Sequence, residues 1–432
     1  MFPCGHLAER IDLRIFLTVG MVASGFTTIL FGLGYYFDIH VFAYYLIAQV
    51  LAGFAQATGW PAVVTILSNW FGKARRGLIM GVWNAHTNVG NVLGSILAGI
   101  FVNYQWGASF VVPGFLLASG AYIVYIVLVD RPSSELDAAS ISKDAVELRR
   151  KSPAGYYGDV KVALIVLRPF EWIRSCVPIP VKTLSDLNYK EKPISFFAAL
   201  WLPNVMAYAL ALFFSKLVAY TFLYWLPNFL ASVSNESVSA EKAAWLSTIF
   251  DIGGICGGIL AGLLSDTASS DSTVTSLQES SLRTIYFRAV TCASMLLIAA
   301  PSSGYLGISI SDHFCYPPGF AIVLFICGGL VTGPCALITT AVSADLGTQP
   351  SLQGNSKALA TVTAIIDGTG SLGAALGPFL TGILVYHGWF SVFLMLISAD
   401  LVALTITLVI ACKNRNSAYE LGVFNLRSLF SL

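Results

Sequence analysis

Lys216 is the residue whose setting most limits what chemistry the chain can do. It lies in the run Phe214-Ser-Lys-Leu-Val-Ala-Tyr-Thr-Phe-Leu-Tyr-Trp-Leu-Pro227, with Tyr220 four residues on and Tyr224 eight. On a helix these three side chains share one face. A charge at the centre of a bilayer costs about 3 kcal/mol or more, so it faces a cavity or a partner. An ammonium flanked by phenol hydroxyls suits a phosphate oxygen, which accepts strong charge-assisted hydrogen bonds. The other reading is a structural ion pair with Asp251 or Asp367. His86 is the histidine placed deepest in an apolar run, since His40, His313 and His387 fall at run ends and His6 in a loop. A histidine there acts as a ligand or as a hydrogen bond between helices, and its position leaves both open. No nucleophile and base stand at motif spacing and no ligand cluster is visible, so neither an enzyme, a cofactor nor a metal is expected. The eight cysteines are scattered without a CxxC pair and read as packing residues.

These side chains must be held by membrane helices. The 432 residues are 56% hydrophobic and 11% charged, where a soluble domain carries about 25% charged residues. Runs 15–37, 39–72, 77–129 and 289–311 contain no Asp, Glu, Lys or Arg, and a span needs about 20 apolar residues. Run 77–129 holds two helices turning at 103–107. Runs 194–235, 243–265, 313–344, 358–386 and 388–412 complete ten expected spans in an all-α membrane protein. Loops that collect Lys and Arg face the cytoplasm, and alternate loops here hold 22 of the 24 basic residues, Arg76 and Arg288 among them. Both termini are therefore expected in the cytoplasm, with Lys242 on the opposite side and Lys216 inside the membrane. A net charge of +1 gives no reason to expect a nucleic-acid partner.

Four spans precede a polar segment and six follow it. The expected division is a partial helical half at 1–129, a cytoplasmic linker at 130–196, a six-helix half at 197–412 and a tail at 413–432. Within the linker, 159–174 suits a surface-lying helix or an irregular connection. Residues 1–14 carry charges without an apolar core, so the first span is expected to serve as the targeting signal.

The chain repeats itself at an offset of 283 residues, where Asn84, Gly90, Leu93, Gly94, Gly99 and Ile100 correspond to Asp367, Gly373, Leu376, Gly377, Gly382 and Ile383. A second match pairs Gly5 to Glu9 with Gly262 to Asp266, each a glycine four residues before an acid. Duplicated six-helix halves are the signature of the major facilitator fold. That fold has twelve helices, so about ten of twelve are expected here, helix 1 and most of helix 2 being absent. The matched motif makes Glu9 and Asp266 gating candidates.

Several motifs then carry a specific resemblance: Gly59-Trp60-Pro61, Asn69-Trp70-Phe71, Arg75-Arg76-Gly77, Trp83 to Gly90, Phe250 to Gly254, Ala341 to Gly347 and Ala360 to Gly370. Together they resemble the organophosphate/phosphate antiporters, and among these the eukaryotic glucose-6-phosphate exchangers, over nearly all the chain outside 133–193. The resemblance implies a lipid-embedded, monomeric carrier that exchanges a phosphorylated sugar, of glucose-6-phosphate or glycerol-3-phosphate type, for inorganic phosphate by alternating access. It places Lys216 at the family's lysine, with Tyr220, Tyr224, Trp60, Asn84, His86, Asn88 and Asp367 as substrate-binding candidates. Glu9, Arg10 and Asp266 match the gating motif. Bacterial relatives carry an arginine one turn beyond, where this chain has Ala219, and His86 is one residue out of step with their histidine. Their second arginine lies on helix 1, so a dianion held by Lys216 alone is under-neutralised. The resemblance points to the endoplasmic reticulum or a related endomembrane, and Asn235-Glu-Ser237 is a glycosylation sequon on the non-cytoplasmic side. The competing readings are another organic-anion carrier, proton-coupled through Asp367 or His86, and a truncated membrane protein that does not transport. With two helices absent, the chain is expected to insert but transport poorly, with Asn84, His86 and Asn88 open to lipid.

Overall fold

The computed structural model describes residues 2–8, 10–71, 76–102, 104–129, 195–233, 240–269, 277–309, 319–349, 352 and 357–420. Glu9, the segment 159–174, the 133–161 stretch and Asn235-Glu-Ser237 lie outside them. All regular structure among the described residues is helical, the form in which a single segment satisfies its own backbone in lipid. The helices are α1 Phe2–Ala8, α2 Leu13–Tyr36, α3 Phe42–Gln56, α4 Gly59–Trp70, α5 Arg76–Val102, α6 Ala108–Val127, α7 Phe196–Leu200, α8 Val205–Val233, α9 Ala240–Ser269, α10 Leu277–Ser309 and α11 Phe320–Leu337. A π-helical turn, Ile338–Val342, carries α11 on into α12 Ser343–Gly347, and α13 Lys357–Leu384 and α14 Trp389–Glu420 follow. Nine segments of the described residues are long and apolar enough to cross a membrane. The 27-residue α5 lies where the sequence places a further span, and the expected turn falls between its end at Val102 and the start of α6 at Ala108.

The chain forms two compact units, Met1–Ala74 with Leu93–Pro193, and Arg75–Val92 with Ile194–Leu432. In the first, α2 runs along α6 and α3, and α1 meets α4. Asp12 caps α2 by accepting from the backbone N–H groups of Arg14 (2.9 Å) and Ile15 (3.2 Å), donors that otherwise lack an intrahelical partner. Trp70 Nε1 donates to the Val129 carbonyl at 2.7 Å, tying the end of α4 to the chain beyond α6.

In the second unit α8 packs on α13 and α14, α9 on α11, and α10 on α14. Between helices in lipid, association depends on close van der Waals contact, which small residues permit. At Gly373 a Cβ would stand 1.9 Å from the Phe213 carbonyl oxygen, so α8 and α13 touch backbone to backbone there. Leu217, Val218, Phe222, Phe229, Phe250, Val331 and Phe393 fill the apolar core beside that contact.

Two charges depart from the sequence expectation. Arg76 and Arg288, counted above as loop residues, are the first residue of α5 and a member of α10. They are 3% and 1% exposed. Each is paired with an acid from another helix, which is the condition under which a guanidinium is buried.

Candidate functional site

Lys216 lies on α8 and Asp367 on α13, where the two helices are in backbone contact. Of the acids the sequence offered as partners, the structure selects Asp367: the Lys216 ammonium donates to Asp367 Oδ1, and both side chains are buried. A Cβ on Gly370 would stand 3.0 Å from Lys216 Cδ, so the lysine stem lies in the trough this glycine leaves. Tyr220 presents its ring face to the ammonium, 5.9 Å from ring centroid to Nζ. The expected flanking by phenol hydroxyls is thus a cation–π contact at Tyr220. Tyr224 follows with its ring 6.2 Å from that of Tyr220 and is 63% exposed, so the face runs from buried to open along α8.

A second polar face lies on α5. Gly77, Gly81, Asn84 and Asn88 recur at spacings of four, three and four, which is one helix stripe. They meet a glycine stripe on α9: a Cβ on Gly262 would stand 2.2 Å from the Gly77 carbonyl oxygen, one on Gly81 2.6 Å from that of Gly258, and one on Gly254 3.0 Å from Asn88 Nδ2. Asn84 and Asn88 are each 7% exposed, which corrects the expectation that they open to lipid. Asn88 Nδ2 has no hydrogen-bond partner among the described residues. His86 falls on another face of α5 and is exposed, its ring 4.4 Å from that of Trp83 and its Nδ1 2.6 Å from the Trp83 carbonyl oxygen. Trp60 is half-buried on α4 in the first unit.

A third cluster joins the ends of α5, α9, α10 and α12. Asp345 accepts from Arg76 Nη1 at 3.0 Å and from Arg288 Nε at 2.5 Å. Arg288 also reaches Ser265 Oγ at 2.9 Å and Asp266 Oδ1 at 3.3 Å, while Arg76 donates to Thr348 Oγ1 at 3.0 Å. Asp266 further accepts from the backbone N–H groups of Gly77 (3.0 Å) and Leu78 (2.7 Å). A carboxylate so placed satisfies orphan donors in the first turn of α5 and complements the positive end of its dipole. The four charges are two of each sign, none more than 9% exposed.

The Major Facilitator Superfamily profile matches residues 1–356 of the 432. The chain belongs to the major facilitator superfamily. It is 46% identical over 409 residues to the glucose-6-phosphate exchanger SLC37A2 of Mus musculus, covering 93% of this chain and 74% of that protein. To the glucose-6-phosphate exchanger SLC37A1 of Homo sapiens it is 45% identical over 421 residues, covering 94% and 74%. Among solved structures, the proton:xylose symporter XylE bound to 6-bromo-6-deoxy-D-glucose aligns with a TM-score of 0.54 at 12% identity, over 95% of this chain and 83% of that one, and so shares the fold. The protein is a multi-pass membrane transporter.

In this facilitator the sequence-derived candidates fall into separate groups. Lys216, Asp367 and Tyr220 come together, and Tyr224 continues their face. Asn84 and Asn88 meet α9, with His86 turned away from them. Asp266 joins the third cluster, Arg10 is exposed, and Glu9 lies outside the described residues. Arg76, Arg288 and Asp345 were absent from the sequence candidates. The signal was available in the Arg75-Arg76-Gly77 motif and in the acid inside Ala341 to Gly347.

Proposed function

We propose that the chain is an antiporter that exchanges a sugar phosphate, of glucose-6-phosphate or glycerol-3-phosphate type, for inorganic phosphate by alternating access. The observation that carries this reading is the 46% identity to a glucose-6-phosphate exchanger over 93% of the chain. The buried ammonium of Lys216 supports it, being a cation that phosphate oxygens complement by charge-assisted hydrogen bonds. Tyr220 and Tyr224 line the route to it, and Asn84 and Asn88 supply polar contacts for the sugar. The unpartnered Asn88 Nδ2 supports that role, because a buried donor without an acceptor is uncommon in a finished core. The cluster of Arg76, Asp266, Arg288 and Asp345 is the cytoplasmic clasp that opens and closes in each cycle, with Glu9 and Arg10 as its counterpart in the other half. The halves at 1–129 and 197–412 rock about the site, joined by the 130–196 linker, with the 413–432 tail and both termini in the cytoplasm. The carrier works as a monomer in the endoplasmic reticulum or a related endomembrane.

The test is counterflow. Proteoliposomes loaded with inorganic phosphate should take up labelled phosphate, glucose-6-phosphate or glycerol-3-phosphate, and phosphate-free liposomes should not. Uptake that is independent of internal phosphate but driven by a pH gradient would replace this reading with a proton-coupled anion carrier.

A further inference from the structure

We propose that Asp367 is the internal counter-anion of Lys216, and that a phosphate oxygen gains the ammonium only by displacing this carboxylate. The proposal rests on the anion-exchange reading above. An ammonium has three donors and no acceptor, and here one donor is committed to Asp367 Oδ1 while the ring of Tyr220 covers another side. Two opposite charges taken out of water together are tolerable, whereas either one alone is strongly unfavourable. Between substrates, therefore, the pair keeps the site electrically neutral.

The geometry decides which member yields. The Asp367 side chain is 2% exposed and that of Lys216 is 11% exposed. Asp367 stands on the stretch of α13 pressed against α8, where a Cβ at Gly373 would stand 1.9 Å from the Phe213 carbonyl oxygen, so its backbone has no room to shift. The lysine stem is laid along Gly370 and its tip is carried on four rotatable bonds. An arriving phosphate draws the ammonium toward Tyr220 and away from the carboxylate. The dianion and the freed carboxylate then repel each other, so the bound state returns readily to the paired one once the phosphate leaves. Apparent affinity is the intrinsic affinity reduced by the fraction of lysines free of the carboxylate. Asp367 is in this sense a positioning residue that sets how much anionic charge a ligand needs in order to bind.

Phosphate exchange in proteoliposomes, with Asp367→Asn beside Asp367→Glu, reads the effect. Asp367→Asn should lower the KM for phosphate about fivefold or more, by removing the competitor, and should let dimethyl phosphate, a monoanion, inhibit exchange more strongly than in the wild type. Asp367→Glu, which restores the carboxylate, should return KM to within about twofold of wild type. A merely structural carboxylate would lower maximal rate or yield and leave KM and dimethyl phosphate sensitivity where they were, and that result overturns the proposal.

Should Asp367→Asn fail to accumulate, the wild type supplies an independent readout. A carboxyl group no longer covered by its cation is open to a hydrophobic carbodiimide. Phosphate should raise labelling of Asp367, mapped by mass spectrometry, severalfold over that of Asp251 and Asp400 in the same sample. If sulfate raises it and phosphate does not, the counter-anion stands and the phosphate assignment falls. If the wild type exchanges phosphate while no anion alters the labelling, exchange stands and the counter-anion falls.

Discussion

Lys216 and Asp367 meet through one charge-assisted hydrogen bond and a ring face. Asp345, in the same unit, accepts from two guanidinium groups, and Asp266 accepts from two backbone N–H groups besides facing Arg288. Both clusters are buried and both balance in charge. They differ in how many of their hydrogen-bonding positions are already used. The cluster at the helix ends closes around its two acids, leaving Arg76 Nε as a buried nitrogen without a partner among the described residues, and draws together four helices, so any separation of those helices must expose several charges at once. The central pair hangs on one hydrogen bond, which a competing anion can take over. A buried ion pair is therefore a poor guide to function until the bonds that hold it are counted.

The largest expected effect breaks the closed cluster. Asp345→Ala leaves Arg76 and Arg288 buried without their shared acid, and should cost about 3–5 kcal/mol, read as loss of monodisperse protein or a collapse of the thermal transition in detergent. A loss below about 1 kcal/mol would show that water already reaches these charges, as at a surface pair, and the distinction between the two clusters would fail. Next comes Lys216→Ala, which leaves the carboxyl of Asp367 without its cation. It should abolish phosphate exchange while protein still inserts, because the apolar spans carry the membrane partition. Lys216→Arg should keep part of the activity. If instead Lys216→Ala removed folded protein from the membrane, the central pair would be as structural as the closed cluster.

A smaller effect tests the two glycine ladders that the sequence makes equivalent. At Gly373 an added methyl would meet the Phe213 carbonyl oxygen at 1.9 Å, while at Gly90 no described atom lies within 4 Å. Gly373→Ala should destabilise by about 1–3 kcal/mol through overpacking. Gly90→Ala should be neutral or gain up to about 1 kcal/mol, the ordinary helix preference of alanine over glycine. Equal losses at both positions, measured by thermal unfolding, would mean that the repeat in sequence is also a repeat in packing.

Those ladders show where the sequence is legible and where it is not. Long uncharged runs give the spans directly, because nothing but a self-satisfied helix survives in lipid. The turn before Ala108 and the shared face of Lys216, Tyr220 and Tyr224 follow from spacing alone. Spacing cannot say which neighbour a face meets. Gly90 and Gly373 are therefore alike in sequence and unlike in surroundings, and Asn84 and Asn88, read as lipid-facing, are buried, Asn88 against α9. The two arginines fail for a different reason. A basic residue at the end of an apolar run has the same signature whether it is solvated or paired with an acid more than fifty residues away, as Arg288 is with Asp345. Lys216 escaped this ambiguity because no loop is near enough to claim it.

The smallest expected effect concerns how Tyr220 serves the central lysine. The sequence assigns its hydroxyl to the ligand, whereas the structure turns its ring face to the ammonium at 5.9 Å. These readings separate by substitution, since phenylalanine keeps the ring and discards the hydroxyl. If the ring carries the interaction, Tyr220→Phe should leave the KM for phosphate within about twofold, while Tyr220→Leu should raise it about fivefold, near the 1 kcal/mol of a partly exposed cation–π contact. Tyr224→Phe should change little, because that residue is 63% exposed and lies one ring beyond Tyr220 from the ammonium. A tenfold rise for Tyr220→Phe would correspond to about 1.4 kcal/mol, the scale of one hydrogen bond to a charged group. It would place the hydroxyl on the phosphate and make the ring contact a feature of the empty carrier alone.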